Sequence, residues 1–269
     1  MITTAAIMAR GLGRRMRERD DAVGLDASQR AAADAGVKGM IPIRRPFVEY
    51  IVSALADAGI TDVVLVVGPE HQAVRDHFTH DVHPTRVRIR FAVQAEASGT
   101  AHAVVAAADV IGDEPFLVLN ADNYYPVEAL RALAADDRAG TIAFDRTALS
   151  TLGNIDRERV RAFAVLDVSA DGRLLSIIEK PGESLDLDGT AARWIGMNCW
   201  AVTPQIVNAC RRVARSSRGE FELPEAVGLA LGEGALVRAV CMSAPVLDLS
   251  RRSDVAAVAE LLAHIEPRL

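Results

Sequence analysis

Apolar positions along the first half of the chain alternate between two periods. Ile2 to Met8 is a short apolar run that reads as a strand. Phe47, Ile51 and Leu55 recur at helical spacing, and Gly59 supplies a helix stop after Ala58. Asp62 to Gly68 then holds the unbroken run Val63-Val64-Leu65-Val66-Val67, the pattern of a strand buried on both faces. Arg88 to Gln94 predicts another strand, Gly99 to Asp109 an Ala-rich helix, Phe116 to Asn120 a buried strand, and Pro126 to Ala135 a helix opened by proline. Strands alternating with helices at this spacing predict an α/β fold. Its central sheet should be mixed but mainly parallel, with helices on both faces.

The second half reads differently. Phe163 to Val168 and Leu174 to Ile178 flank Ser169-Ala170-Asp171-Gly172-Arg173, a hairpin signal. A strand at Trp194 to Val202 precedes helices at Pro204 to Ala214 and Leu223 to Leu231. A strand at Leu236 to Met242 and a helix at Asp254 to His264 follow. No linker-like tract and no repeat of 20–50 residues divides the chain. The expectation is one domain over 1–269, with an antiparallel portion after about residue 145.

Composition narrows the classes. The chain has 269 residues, 50% of them hydrophobic and 25% charged, which suits a packed globular protein. A net charge of −6 argues against nucleic acid as a partner. No apolar run approaches a membrane span, and Met1-Ile2-Thr3-Thr4 has neither the basic start nor the apolar core of a signal peptide. Three cysteines, Cys199, Cys210 and Cys241, make no CxxC pair. Together these predict a cytoplasmic protein without membrane partners.

The first strand runs into Met8-Ala9-Arg10-Gly11-Leu12-Gly13-Arg14-Arg15-Met16. Glycines after a strand let backbone N–H groups approach an anion, and arginines add charge. A tight turn with solvated arginines is the plain alternative. Met16 stands where a dinucleotide fingerprint needs its third glycine, which disfavours a nicotinamide enzyme, and no GK[ST] follows. His77, His80 and His83 recur every three positions beside Asp81 and Pro84, and read as a solvated loop rather than a metal site. Tyr124 and Tyr125 either line a pocket or cover a sheet edge.

Further signals occur in order. They are Val37-Lys38-Gly39-Met40-Ile41-Pro42-Ile43, Gln94-Ala95-Glu96-Ala97-Ser98-Gly99-Thr100-Ala101, Asn120-Ala121-Asp122-Asn123, Glu179-Lys180-Pro181 and Val246-Leu247-Asp248. With the glycine turn, this series resembles the sugar-phosphate nucleotidylyltransferases, the enzymes that make nucleoside-diphosphate sugars, from Ile2 to about Leu262. The resemblance implies a Rossmann-like nucleotidylyltransferase fold. It implies transfer of a nucleoside monophosphate from a nucleoside triphosphate to a sugar 1-phosphate, with release of pyrophosphate. Residues 1–145 would form the nucleotide-binding part and 146–269 the sugar-phosphate-binding part. No β-helix extension is expected, since hexapeptide repeats are absent.

Residue roles follow from the same resemblance. Arg15 would stabilise the departing pyrophosphate and Lys38 would bridge phosphates as a mobile charge. Ala9, Gly11, Leu12, Gly13, Gln94, Gly99 and Thr100 would hold the nucleotide, Gln94 and Gly99 at the base. Asn123, Glu179, Lys180 and Asn198 would hold the sugar phosphate. Asp122 and Asp248 would hold Mg²⁺ if two parallel strands run into one crevice, although a carboxylate at Asp122 could instead cap a helix. A cytidylyltransferase for a polyol or alcohol phosphate and a catalytically silent nucleotide-sensing subunit are the alternatives. Base, sugar and homo-oligomeric state stay open.

The chain departs from the pattern in places. Arg10 replaces a small residue before the first glycine, Arg14 replaces a Thr or Ser, and Phe163-Ala164 replaces an aromatic-glycine pair. Arg15 and Lys38 lie 23 positions apart, a longer loop than in common members. Within it, Asp26 or Ser28 to Gly36 carries helix start and stop signals. The loop is expected to act as a lid over the nucleotide, with a tolerated surface insertion as the alternative.

Overall fold

The computed structural model describes residues 1–18, 20, 23–179, 181–182 and 193–269. Its central strands are β1 (Thr4–Met8), β2 (Asp62–Val67), β3 (Arg88–Val93) and β4 (Phe116–Asn120). Farther along come β6 (Gly140–Asp145), β9 (Trp194–Val202) and β10 (Arg238–Met242). The sheet order is β10-β6-β9-β4-β1-β2-β3. β1 pairs in parallel with β2 and β4, β2 with β3, and β6 with β10, whereas β9 is antiparallel to both β4 and β6. The mixed, mainly parallel sheet expected from the sequence is therefore observed. The chain lays β2 and β3 on one side of β1 and returns to place β4 on the other. The carboxyl ends of β1 and β4 thus flank the switch point where ligands gather in open α/β sheets.

Alternation along the strands makes two cores. Ala5 and Ile7, Val63 and Leu65, and Leu117 and Leu119 face one way, and pack with Phe47, Ile51 and Leu55 of α3 (Phe47–Asp57) and Leu130 and Leu133 of α6 (Val127–Ala134). Ala6, Val64, Val66 and Val118 face the other way. They pack with Ala101, Val104 and Ala107 of α5 (Thr100–Ile111), Ile206 of α8 (Pro204–Arg212) and Val227 of α9 (Leu223–Gly232). Period-2 burial on both faces explains why these strands read as continuous apolar runs. α10 (Asp254–Leu261) closes the first core through Val255 and Val258.

β9 joins the two halves. One edge pairs with β6; the other pairs with β4 at residues 200–202 and with β7 (Ala164–Val168) at residues 194–196. β7 forms the expected hairpin with β8 (Leu174–Ile178). Between its two partners β9 bulges, and Asn198 takes a left-handed conformation there at φ 55°. β6 and the helix after it, α7 (Arg146–Leu152), carry no sequence signal strong enough to predict. β6 is a strand because its neighbours make it one: it is buried between β9 and β10, and Thr141 Oγ1 donates to the Cys199 carbonyl at 2.9 Å.

The histidine run corrects an expectation. Residues 77–81 are not a loop but a π-helical turn, His77–Asp81, continuing α4 (Gln72–Asp76). His77 is 8% exposed, and its Nε2 lies 2.9 Å from Oε1 of buried Glu49, which also pairs with Arg45 at 2.5 Å. Among the described residues no helix is long and apolar enough to cross a membrane.

Candidate active site

The glycine turn follows β1 directly. Ala9 donates its N–H to Val66, and Gly13 adopts φ 58° at the entry to a short helix, α1 (Arg14–Arg17). A Cβ on Gly13 would overlap the carbonyl of Gly36, so glycine is required by both the dihedral and the close approach. Gly36 ends α2 (Ala27–Ala35), which is opened by a capping box between Asp26 and Gln29. The long loop is therefore welded to the turn. Arg17 donates to the Ala35 carbonyl at 2.7 Å, and Gln29 to that of Pro42 at 3.0 Å. Leu25 and Ala33 join the main core.

A cleft of about 350 Å³ opens beside this turn. Ala9, Gly11, Leu12, Gly13, Arg15, Lys38, Gln94, Gly99, Thr100 and Asp122 all line it, joined by Arg10 and Glu220. Lys38 starts a 3₁₀ turn, and its Nζ donates to Asp122 Oδ2 at 2.8 Å. Burial works to lower the Lys38 pKa, but the charges of Asp122 and Asp248 outweigh it and raise it, keeping the ammonium protonated.

Asp248 does not line the cleft; it is buried next to the Asp122 segment and arrives there by a different route from the one the sequence suggested. It does not end a parallel strand. Instead β5 (Asn123–Tyr124) and β11 (Leu247–Asp248) form an antiparallel pair that sets Asp248 opposite Asn123. Leu249 N–H donates to the Asp122 carbonyl at 2.8 Å, Asn123 Nδ2 to Asp248 Oδ1 at 3.0 Å, and Ser250 Oγ to the same oxygen at 3.0 Å. Burial and the charge of Asp122 push the Asp248 carboxyl up to about 6, against the opposing pull of Arg159.

Two residues that sequence reasoning missed hold Asp248, and a third ties down the segment after it. Asn154 clamps its backbone in both directions, at 2.8 and 2.9 Å. Arg159, on the 3₁₀ turn Glu158–Ala162, bridges Asp248 and Asp254. Arg252 donates to the Met16 carbonyl at 3.0 Å and pairs with Asp34, tying the segment after Asp248 to α1 and α2. Their partners lie some 90 to 236 positions away, so no local spacing reveals them.

The donor set fits a hard divalent cation. Asp122 Oδ1 has no hydrogen-bond partner among the described residues, and Asp248 Oδ2 accepts from Arg159 alone. Burial first, and the neighbouring charge of Asp122 second, lift the Asp248 carboxyl, a cost that a cation held by both carboxylates would relieve.

Of the residues expected at the base, Gln94 is buried, and its Nε2 donates to the Gly99 carbonyl at 3.0 Å. Gly99 sits at φ 110°, where a Cβ would strike the Phe221 backbone. Phe221 N–H donates to Ser98 and its carbonyl accepts from Ala101, both at 2.8 Å, while Leu223 N–H donates to Thr100 Oγ1 at 2.8 Å. The second half of the chain thus helps build the wall around Gly99 and Thr100.

The residues expected to hold the sugar phosphate are less gathered. Asn123 is buried between Asn120 and Asp248. Asn198 lies in the β9 bulge, and Glu179 follows β8 near Arg218 and Glu225, whose charges respond to it. None of these three lines the cleft. Lys180 falls outside the described residues. Tyr125 belongs to the core: it stacks on Phe144 and donates to the Met197 carbonyl at 2.6 Å.

The nucleotidyl transferase family model matches residues 36–246. A low-salt glycan biosynthesis nucleotidyltransferase of Haloferax volcanii is 27% identical over 215 residues, covering 78% of this chain but only 56% of that protein. A UTP–glucose-1-phosphate uridylyltransferase of the same organism is 27% identical over 220 residues, covering 81% and 84%, and one from Bacillus subtilis is 27% identical over 236 residues, covering 77% of each. Among solved structures, a UDP-glucose pyrophosphorylase complexed with UDP-glucose superposes with a TM-score of 0.75 at 17% identity, covering 99% of this chain and 100% of that one. A UTP-bound UGPase from Acinetobacter baumannii gives 0.75 at 18%, covering 99% and 96%. The fold is shared with these structures, and the family match over most of its length makes this chain a member of the nucleotidyl transferase family.

Proposed function

We propose that this chain transfers a nucleoside monophosphate from a nucleoside triphosphate to a sugar 1-phosphate, forming a nucleoside-diphosphate sugar and pyrophosphate. The observation that carries the reading is the convergence of Arg15, Lys38 and Asp122 on one cleft beside the glycine turn, with Asp248 held against Asn123, the residue after Asp122. Two anions must meet for the phosphate oxygen of the acceptor to attack the α-phosphorus, and such a site works by neutralising charge and holding reactants in line. No protein nucleophile is needed.

The chain's own groups divide this work. The turn from Gly11 to Gly13 offers backbone N–H groups to the triphosphate, and Arg15 meets the departing pyrophosphate. Lys38, already charged and held by Asp122, bridges the phosphates between which the bond breaks. Asp122 and Asp248 would hold Mg²⁺, which supplies charge neutralisation at the α-phosphate when bound. The first 145 residues carry most of the nucleotide side; Glu179, Lys180 and Asn198 belong to the acceptor side.

The relatives' names make UTP with glucose 1-phosphate the first pair to test. The experiment measures pyrophosphate release and nucleotide-sugar formation across five nucleoside triphosphates and a panel of sugar 1-phosphates, with polyol phosphates and CTP included. Equimolar pyrophosphate and nucleotide-sugar from one pair supports the reading. Formation of a cytidine-diphosphate polyol, or binding of nucleotide without turnover on any acceptor, overturns it.

A further inference from the structure

Arg10 stands where the resembling family carries a small residue. Its side chain is only 10% exposed, and although Arg10 lines the cleft its guanidinium is taken up by protein partners. Nε donates to the Gln94 carbonyl at 2.5 Å, and one terminal nitrogen to the Ala95 carbonyl at 3.0 Å. That same nitrogen lies 3.5 Å from Glu70, and the other terminal nitrogen lies 3.3 Å from it. All three nitrogens are therefore engaged, two by backbone carbonyls of the segment after β3 and the rest by a half-exposed carboxylate that adds little. A guanidinium so committed is not a phosphate clamp.

The segment it holds has its other end fixed as well. Ser98 and Ala101 are bonded to the Phe221 backbone, and the Gln94 side chain spans the segment to Gly99. Arg10 supplies the attachment at the near end, and it does so from the residue directly before Gly11. The glycine turn and the segment 94–99 are thereby joined by a rigid planar fork rather than by packing alone.

We propose that Arg10 is a positioning residue for base selection. It sets the distance between the triphosphate turn and the wall formed by Gln94, Ala97 and Gly99, so that base discrimination depends on a guanidinium bonded to that wall. The proposal rests on the nucleotidyl-transfer reading of the cleft.

The test compares the wild-type protein with Arg10→Ala and Arg10→Lys, using steady-state kinetics on the preferred and next-preferred nucleoside triphosphates and amide hydrogen exchange over residues 94–101. Loss of two charge-assisted bonds should raise KM for the preferred nucleotide by about tenfold, with kcat within about threefold. Discrimination between the two nucleotides should fall by about the same factor as KM rises. Arg10→Lys should recover little, because an ammonium cannot reproduce the fork. Exchange at 94–98 should quicken in both variants while the α3 and β2 amides stay protected, which separates local release from general unfolding. If Arg10→Ala does not fold, Arg10→Lys and Arg10→Gln provide the same readouts. Unchanged KM and discrimination overturn the proposal. So does a loss confined to kcat, which would place the guanidinium on the reacting phosphates. A wild-type protein without transfer activity defeats the function reading instead, and unchanged exchange at 94–98 then defeats this one independently.

Discussion

The two carboxylates expected to share a cation, Asp122 in the cleft lining and Asp248 buried outside it, are held in place in opposite ways. Asp122 sits two residues past the end of β4, and its partner Lys38 comes from a turn in the same half of the chain. Its position follows from the parallel sheet, with one ion pair added at the rim. Asp248 is 3% exposed and hangs on a two-residue strand, with Asn123, Asn154, Arg159 and Ser250 holding it from four directions. The Lys38 and Asp122 side chains keep 19% and 23% of their surface, against 8% and 4% for Arg159 and Asp248, and a charge stripped of its partner costs more the deeper it lies. Removing a charge on the phosphate side should therefore cost less stability than removing one on the Asp248 side.

The largest expected effect comes from breaking the buried side. Arg159→Met leaves Asp248 and Asp254 without their shared cation. It should cost about 3–5 kcal/mol of stability, read by urea denaturation, along with activity. A variant as stable as the wild type would erase the contrast. Next is Asp122→Asn, which keeps shape and removes charge. Turnover should fall by about 10² or more and saturate only at higher Mg²⁺, with the unfolding midpoint nearly unchanged. Equal turnover in EDTA and in Mg²⁺ would remove the metal from the account. Asp26→Ala deletes the cap of α2 and should cost about 1 kcal/mol. Because α2 is docked on Gly13, that variant should also raise KM for the nucleotide.

Glu49, buried on α3 and outside the cleft lining, serves as a control. Burial works to raise its pKa, but the hydrogen bonds from His77 and Arg45 lower it below the ordinary 4.5. A carboxyl with a depressed folded pKa contributes stability that is present above the unfolded value and lost as pH falls through the folded one. Glu49→Gln should therefore flatten the fall in stability below about pH 4.5, with kcat/KM at neutral pH unaltered.

The same contrast explains what the sequence revealed. The parallel core was legible because Val63 to Val67 and Phe116 to Asn120 declare buried strands locally, and the α2 boundaries because Asp26 and Gly36 are cap residues. β6 was not legible, since Gly140-Thr141-Ile142-Ala143 owes its conformation to β9 and β10 rather than to propensity. Asp122 and Asp248 were identified by motif, but the antiparallel β5–β11 pair that joins them depends on residues 125 positions apart. His77 looked like a polar loop because its partner Glu49 lies 28 positions upstream, in another helix. The loop after Arg15 was expected to be a lid over the nucleotide. The structure instead shows α2 packed into the core and bonded to the turn that Lys38 and Arg15 flank.

The most direct test of the central claim follows the label from nucleoside triphosphate carrying ³²P at the α-position, incubated with a sugar 1-phosphate and Mg²⁺, in the wild-type protein and in Lys38→Ala. The account predicts label in a nucleoside-diphosphate sugar with an equal amount of pyrophosphate. It predicts that Lys38→Ala lowers kcat/KM by about 10² or more while the thermal midpoint hardly moves. Label in a free mono- or diphosphate, or a Lys38→Ala protein that works at the wild-type rate, would contradict it.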